Sequence, residues 1–192
     1  MTTGRMTMPA AAAPRFATAA STLRRLYFVR FAFAIVWALV ALTTAKHLGP
    51  LAATLFVLYP LFDVASAVID ARASRTTGAP RLLYANIAIS LLAAIGLAFA
   101  AASGVPAVLR VWGAWAIVAG LIQLVVGVTR RKVGGQWPMI ISGGISVLAG
   151  GVFIATASAH HPALTSAIAY VIPGAIFFLI SAIRLGRPAK GN

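Results

Sequence analysis

Acidic residues are nearly absent: two Asp and no Glu in 192 residues, against sixteen Lys and Arg, for a formal net charge of +14. Charged residues of both signs reach only 9%, where a soluble domain carries about a quarter. A water-facing surface cannot be built from so few. Cysteine is missing altogether, which excludes disulfides, thiolate metal sites and cysteine nucleophiles without indicating a compartment. There is no Gly-rich phosphate loop before a helix, no HExxH, no Ser–His–Asp set with reachable members and no Cys/His metal cluster. General acid–base chemistry usually needs two tuned groups, and one acid deep in an apolar run does not supply them. The expectation is therefore a protein that is not an enzyme. It has no catalytic residue, no cofactor, no metal and no small-molecule substrate identifiable from its residues. Binding nucleic acid needs basic residues on a soluble scaffold, and that scaffold is also lacking.

What the chain does have is apolar sequence, 61% of its residues. A helix needs about 20 such residues to cross the hydrocarbon core. Six segments qualify, at Leu26–Ala45, Leu51–Ile69, Leu82–Ala102, Ala107–Val128, Pro138–Ala157 and Leu164–Ile183. The fold expected is an all-α polytopic membrane protein with the lipid bilayer as its partner. Its six transmembrane helices form three antiparallel hairpins, because Lys46–Pro50, Ser103–Pro106 and Ser158–Ala163 are short turns bearing Gly or Pro. Residues 1–25 read as a flexible basic cytoplasmic tail, 26–185 as the transmembrane domain and 186–192 as a short cytoplasmic tail. A cleavable signal is not expected, since the small residues precede the apolar run and a cleavage site must follow it. Entry positions Arg30, Arg81 and Gln136 and exit positions Arg72, Arg130 and Arg184 recur at a period near 50, as three repeated hairpins would give.

Orientation follows from the basic residues. Arg5, Arg15, Arg24, Arg25 and Arg30 lie on one side, with Arg72, Arg75, Arg81, Arg130, Arg131, Lys132, Arg184, Arg187 and Lys190. Only Lys46 and Arg110 lie on the other. An excess of Lys and Arg marks the cytoplasmic face, so both termini are expected inside and the high isoelectric point is a topology signal.

Asp63 is the one acid well inside a span, and such a charge is a functional candidate by default. Asp63 stands about two turns from the cytoplasmic end of its helix and Arg30 about one turn in from the same face on the hairpin partner, so an intramembrane Arg30–Asp63 pair is geometrically plausible. The pair reads as a clamp on the hairpin, with a proton- or ion-handling carboxylate as the alternative. Asp70 reads as a boundary residue beside Arg72. Small residues recur at helical spacing: Gly113, Gly120 and Gly127 with Gln123 on the fourth span, Ser142, Ser146 and Gly150 on the fifth, and Asn86, Ser90, Ala94 and Ala98 on the third. Such stripes let transmembrane backbones approach, and helix packing is the meaning given to them here. Tyr27, Trp112 and Trp137 fit an interfacial aromatic belt. His47, His160 and His161 all fall in the expected outer turns. An imidazole titrates near pH 6.5, so they are candidates for sensing external acid, with ordinary turn residues as the plainer reading.

Three stretches resemble the HdeD-like acid-resistance membrane proteins, bacterial six-helix inner-membrane proteins. In VRFAFAIVWALVAL, Arg30 opens an apolar helix. In LYPLFDVASAVIDAR, Asp63 follows Tyr59 as in a Tyr-x-x-x-Asp segment, although Val64 stands where that family usually has Gly. In WGAWAIVAGLIQLVVGVTRRKVGGQWPMIISGGISVLAGGVFI, Gly120, Gln123, Trp137, Gly143, Ser146 and Gly150 are similar to the family's central pattern. The resemblance covers roughly residues 26–185 and implies a non-enzymatic bacterial inner-membrane protein linked to acid or general stress tolerance. It carries over no catalytic site. The alternatives are a small transporter or channel subunit using Asp63, or a scaffold whose small-residue faces assemble with a second copy or another membrane protein.

Overall fold

A computed structural model describes the backbone of residues 12–73, 80–131 and 136–186, and side chains from residue 20 onward except at Pro80. The described residues form six α-helices: α1 Ala12–Thr44, α2 Pro50–Ala73, α3 Pro80–Ser103, α4 Val105–Thr129, α5 Trp137–Thr156 and α6 Thr165–Leu185. Among the described residues there is no strand. All six helices are long and apolar enough to cross a membrane, with mean hydropathies of 1.9 to 2.1. The chain is a multi-pass integral membrane protein.

Helix α1 starts upstream of the expected Leu26, so residues 12–25 are helical rather than a flexible tail. The segment is rich in Ala, the strongest helix former. The remaining basic positions Arg5, Arg75, Lys132, Arg187 and Lys190 lie outside the described residues, as does the side chain of Arg15.

The short connections lie where Gly and Pro put them. Pro50 and Pro106 stand at or next to the starts of α2 and α4, where a missing N–H costs nothing. Gly104 alone joins α3 to α4, at φ +95, a backbone conformation that side-chain-bearing residues rarely adopt. These links and the α5–α6 link (157–164) mark one end of the bundle, called here the turn face. The start of α1 and the end of α6 mark the terminal face.

Each helix packs on its neighbours in sequence and α6 closes back on α1, so the six form a ring. The most extensive interfaces are α4–α5, α1–α6 and α2–α3, while the hairpin partners α1–α2 and α5–α6 touch less. Extensive and lighter contacts therefore alternate with the threefold period read in the sequence.

The interior is built from small and aromatic side chains. Ala34, Ala38 and Ala41 on α1 and Ala167, Ala175 and Ala182 on α6 are buried, whereas Val36, Leu39, Leu92, Phe99 and Leu148 point outward. Lipid tails are as apolar as Leu, so the helices gain nothing by hiding large aliphatics and associate by close backbone approach instead.

Candidate functional site

Both acids of the chain lie on α2, two turns apart and therefore on one face, and both are buried. Asp63 accepts a hydrogen bond at Oδ1 from the Arg30 guanidinium of α1, forming an ion pair. At Oδ2 it accepts from Asn86 Nδ2 (2.7 Å) and Ser90 Oγ (2.9 Å), both on α3. Trp115 Nε1 on α4 donates to Ser90 Oγ at 3.0 Å. Arg30 also lies over the Phe178 ring of α6, 4.3 Å from its centroid, a favourable place for a desolvated cation. Five helices thus converge on one carboxylate. An uncompensated charge at mid-membrane costs about 2.5–3.5 kcal/mol on insertion scales; the opposite charge and two neutral donors offset that cost.

Arg30 and Asp63 come together because they sit at similar depths on adjacent antiparallel helices. Asn86 and Ser90 were visible in the sequence only as part of a small-residue stripe. Their spacing shows that they share a face, and nothing in it shows that this face meets Asp63.

Asp70 departs from the boundary role expected of it. It is buried and accepts a hydrogen bond at 2.9 Å from Nη1 of Arg130, the C-cap residue of α4, while Arg72 is exposed. Arg130 is only 3% exposed; it leaves the basic surface and becomes an interior counter-ion. Every acid in the chain is thereby matched by an arginine from another helix. The other described Lys and Arg side chains are exposed.

The small residues of α4 and α5 meet each other. A Cβ added at Gly113 would stand 2.6 Å from the Gly150 carbonyl oxygen, and one at Gly150 would stand 2.5 Å from that of Gly113. Gly120 faces Ser146 and the Gly143 carbonyl in the same way, and Gly127 faces Ile140. Gln123 donates to the Met139 carbonyl at 3.0 Å. Ser146 Oγ bonds the Ser142 carbonyl at 2.9 Å and also the Tyr170 hydroxyl of α6.

Two small cavities flank the ion pair. One of about 60 Å³ extends toward the terminal face, bordered by Asp70, Asn86, Gln123 and Gln136. The other, about 70 Å³, extends toward the turn face, bordered by Tyr59, Trp112, Ser146 and Tyr170. Arg30 and Asp63 line both.

Tyr27 and Trp112 do not belong to an aromatic belt. They are 2% and 1% exposed, and only Trp137 of the three is exposed. Depth along a helix is readable from sequence, but which face a side chain occupies was not. Trp112 is the hub of a ring cluster with Trp37, Phe56, Tyr59 and Trp115, at centroid distances of 4.9 to 5.8 Å.

His47, His160 and His161 are exposed in the turn-face links, and none joins the buried network. Among the described residues no group of His, Asp or Glu could hold a metal. Compared with family models, with curated proteins and with solved structures, the chain finds no match in any of the three.

Proposed function

We propose that this is a non-enzymatic bacterial inner-membrane protein of the HdeD-like kind, with both termini cytoplasmic, that contributes to acid or general stress tolerance. The motifs around Arg30, Asp63 and Gly120–Gly150 support the resemblance, and the basic excess at the terminal face supports the orientation. The observation that carries the non-enzymatic part is the state of Asp63: its carboxylate is taken up by one cation and two neutral donors on neighbouring helices. A general acid or base needs a proton route to a substrate atom, and a carboxylate held this way serves as a clamp. The test is survival of the source bacterium at low pH with the gene deleted and restored. Deletion should lower survival and restoration should recover it; a deleted strain that survives acid and other envelope stresses like its parent contradicts the reading. Reporter fusions at the C-terminus and at Ser158 should read cytoplasmic and external respectively.

A second reading is favoured by the cavities: Asp63 as a proton- or cation-handling group of a small transporter or channel. It predicts a pH-driven flux in liposomes that Asp63→Asn abolishes.

A further inference from the structure

We infer that the two cavities beside the Arg30–Asp63 pair form one water-filled half-channel, giving Asp63 aqueous access from the terminal face and none from the turn face. This deepens the second reading above, proton or cation handling at Asp63, and is separable from it by experiment.

Volume and lining decide whether the cavities are wet. Each exceeds the roughly 10–15 Å³ that a single water needs by this measure, and a polar site of that size fills whereas an apolar one stays dry. Both have polar groups on several sides. The terminal-side cavity has Asn86, Gln123 and Gln136, and the turn-side cavity has Ser142, Ser146 and Tyr170. They share Arg30, Asp63, Ala119 and Gln123 as walls, so the two meet at the ion pair.

An orphaned donor points the same way. Trp112 lines the turn-side cavity, its side chain is 1% exposed, and its indole N–H has no partner among the described residues. Leaving such a donor unsatisfied costs about 1–3 kcal/mol; a water in the adjoining cavity removes that cost.

One-sidedness comes from what lies beyond Trp112. Trp37, Phe56, Leu97, Leu109 and Ile168 fill the bundle between it and the turn face, each no more than 2% exposed. None of these five apolar side chains lines either cavity. At the opposite end the column reaches Asp70 and Gln136, near the terminal-face ends of α2 and α5.

The groups that set the charge of Asp63 can be named from each helix around it. Arg30 and Tyr27 come from α1; Tyr59 and Asp70, the latter held by Arg130 at the C-cap of α4, come from α2; Tyr170 comes from α6. The groups contributed by α3 and α5 are neutral: Asn86 and Ser90 from the first, Ser142 and Ser146 from the second. Arg30 is the direct counter-ion. A proton delivered along the waters adds to the carboxylate, ends the ion pair and leaves Arg30 as a lone cation over Phe178.

The absence of cysteine makes the test direct. Ala119→Cys, on the wall shared by both cavities, is reconstituted in liposomes of known orientation and exposed to Ag⁺ on one side at a time. Ala167→Cys, in the sealed half and 0% exposed, is the control, and Ala67→Cys on the terminal-side cavity is a second position should Ala119→Cys not fold. The cavity cysteine should react with Ag⁺ from the terminal face only, and the control from neither. Hydroxyl-radical footprinting should oxidise Trp112 and Tyr170 while sparing Trp37 and Phe56. Reaction from the turn face, or protection of the cavity cysteine from both faces, overturns the half-channel; the footprint then distinguishes wet, sealed cavities from dry ones. If the cysteine labels as expected but Asp63→Asn leaves ion flux unchanged, the half-channel stands and the transport reading falls.

Discussion

The two halves of the bundle solve the same problem with different chemistry. Toward the turn face the helices close on a column of Ala, Trp, Phe and Leu with hardly a buried polar group; the Trp37 indole, donating to the Leu55 carbonyl at 2.7 Å, is one of few. Toward the terminal face the same helices enclose both acids, two arginines and a set of amides and hydroxyls. The first half is held by shape, which is insensitive to pH and salt. The second is held by charge pairs, which replacement by apolar residues can leave equally stable but which lose heavily when one partner goes. A fold that needed only to span the bilayer could use the first solution throughout. Among the described residues, the ion pairs are confined to the terminal half.

The largest effect is expected where shape alone decides. Gly120→Leu would drive a side chain into Ser146 and the Gly143 backbone, which cannot give way as a flexible side chain would. Ordinary overpacking costs about 1–3 kcal/mol, and this should exceed it, with loss of the folded monomer by size-exclusion chromatography. Arg130→Leu comes next: it removes the buried cation paired with Asp70 and should cost about 3–5 kcal/mol in detergent unfolding. Arg72→Leu, removing an exposed cation two residues from Asp70, should change little, and a comparable loss would mean that the terminal half depends on net charge and not on pairing. Trp37→Phe keeps a ring in the sealed half and loses one hydrogen bond, so about 0.5–1.5 kcal/mol is expected. Smallest is His47→Gln/His160→Gln/His161→Gln, which should leave stability at neutral pH unchanged because all three are exposed. If the same variant loses acid survival, the turn face senses pH through its surface; if survival matches wild type, that idea is finished.

Much of this architecture is legible in the sequence. Long apolar runs give the six spans, and Gly and Pro in the short links give the hairpins, because both signals act locally. The Arg30–Asp63 pair was reachable because hairpin geometry fixes the relative depth of adjacent helices. Asp70 was misjudged for the converse reason: its partner Arg130 is sixty positions away, and its own neighbour Arg72 offered an easy explanation. A signal was present all the same. The chain's only two acids stand seven residues apart on one helix face, so whatever made Asp63 interior applied to Asp70. Tyr27 and Trp112 were misplaced because hydropathy reports depth, and in a helix that is apolar on every side no periodicity separates the lipid face from the core.

Thermal unfolding of Asp63→Leu beside Arg30→Leu/Asp63→Leu in one detergent tests the paired-charge account most directly. With Asp63 gone, Arg30 is an uncompensated cation among Phe178, Tyr59 and Trp115, and the single variant should lose about 3–5 kcal/mol. Removing Arg30 as well should restore most of that loss. If both variants melt at the same temperature, or if Asp63→Leu melts like the wild type, the terminal half is not held by its charge pairs.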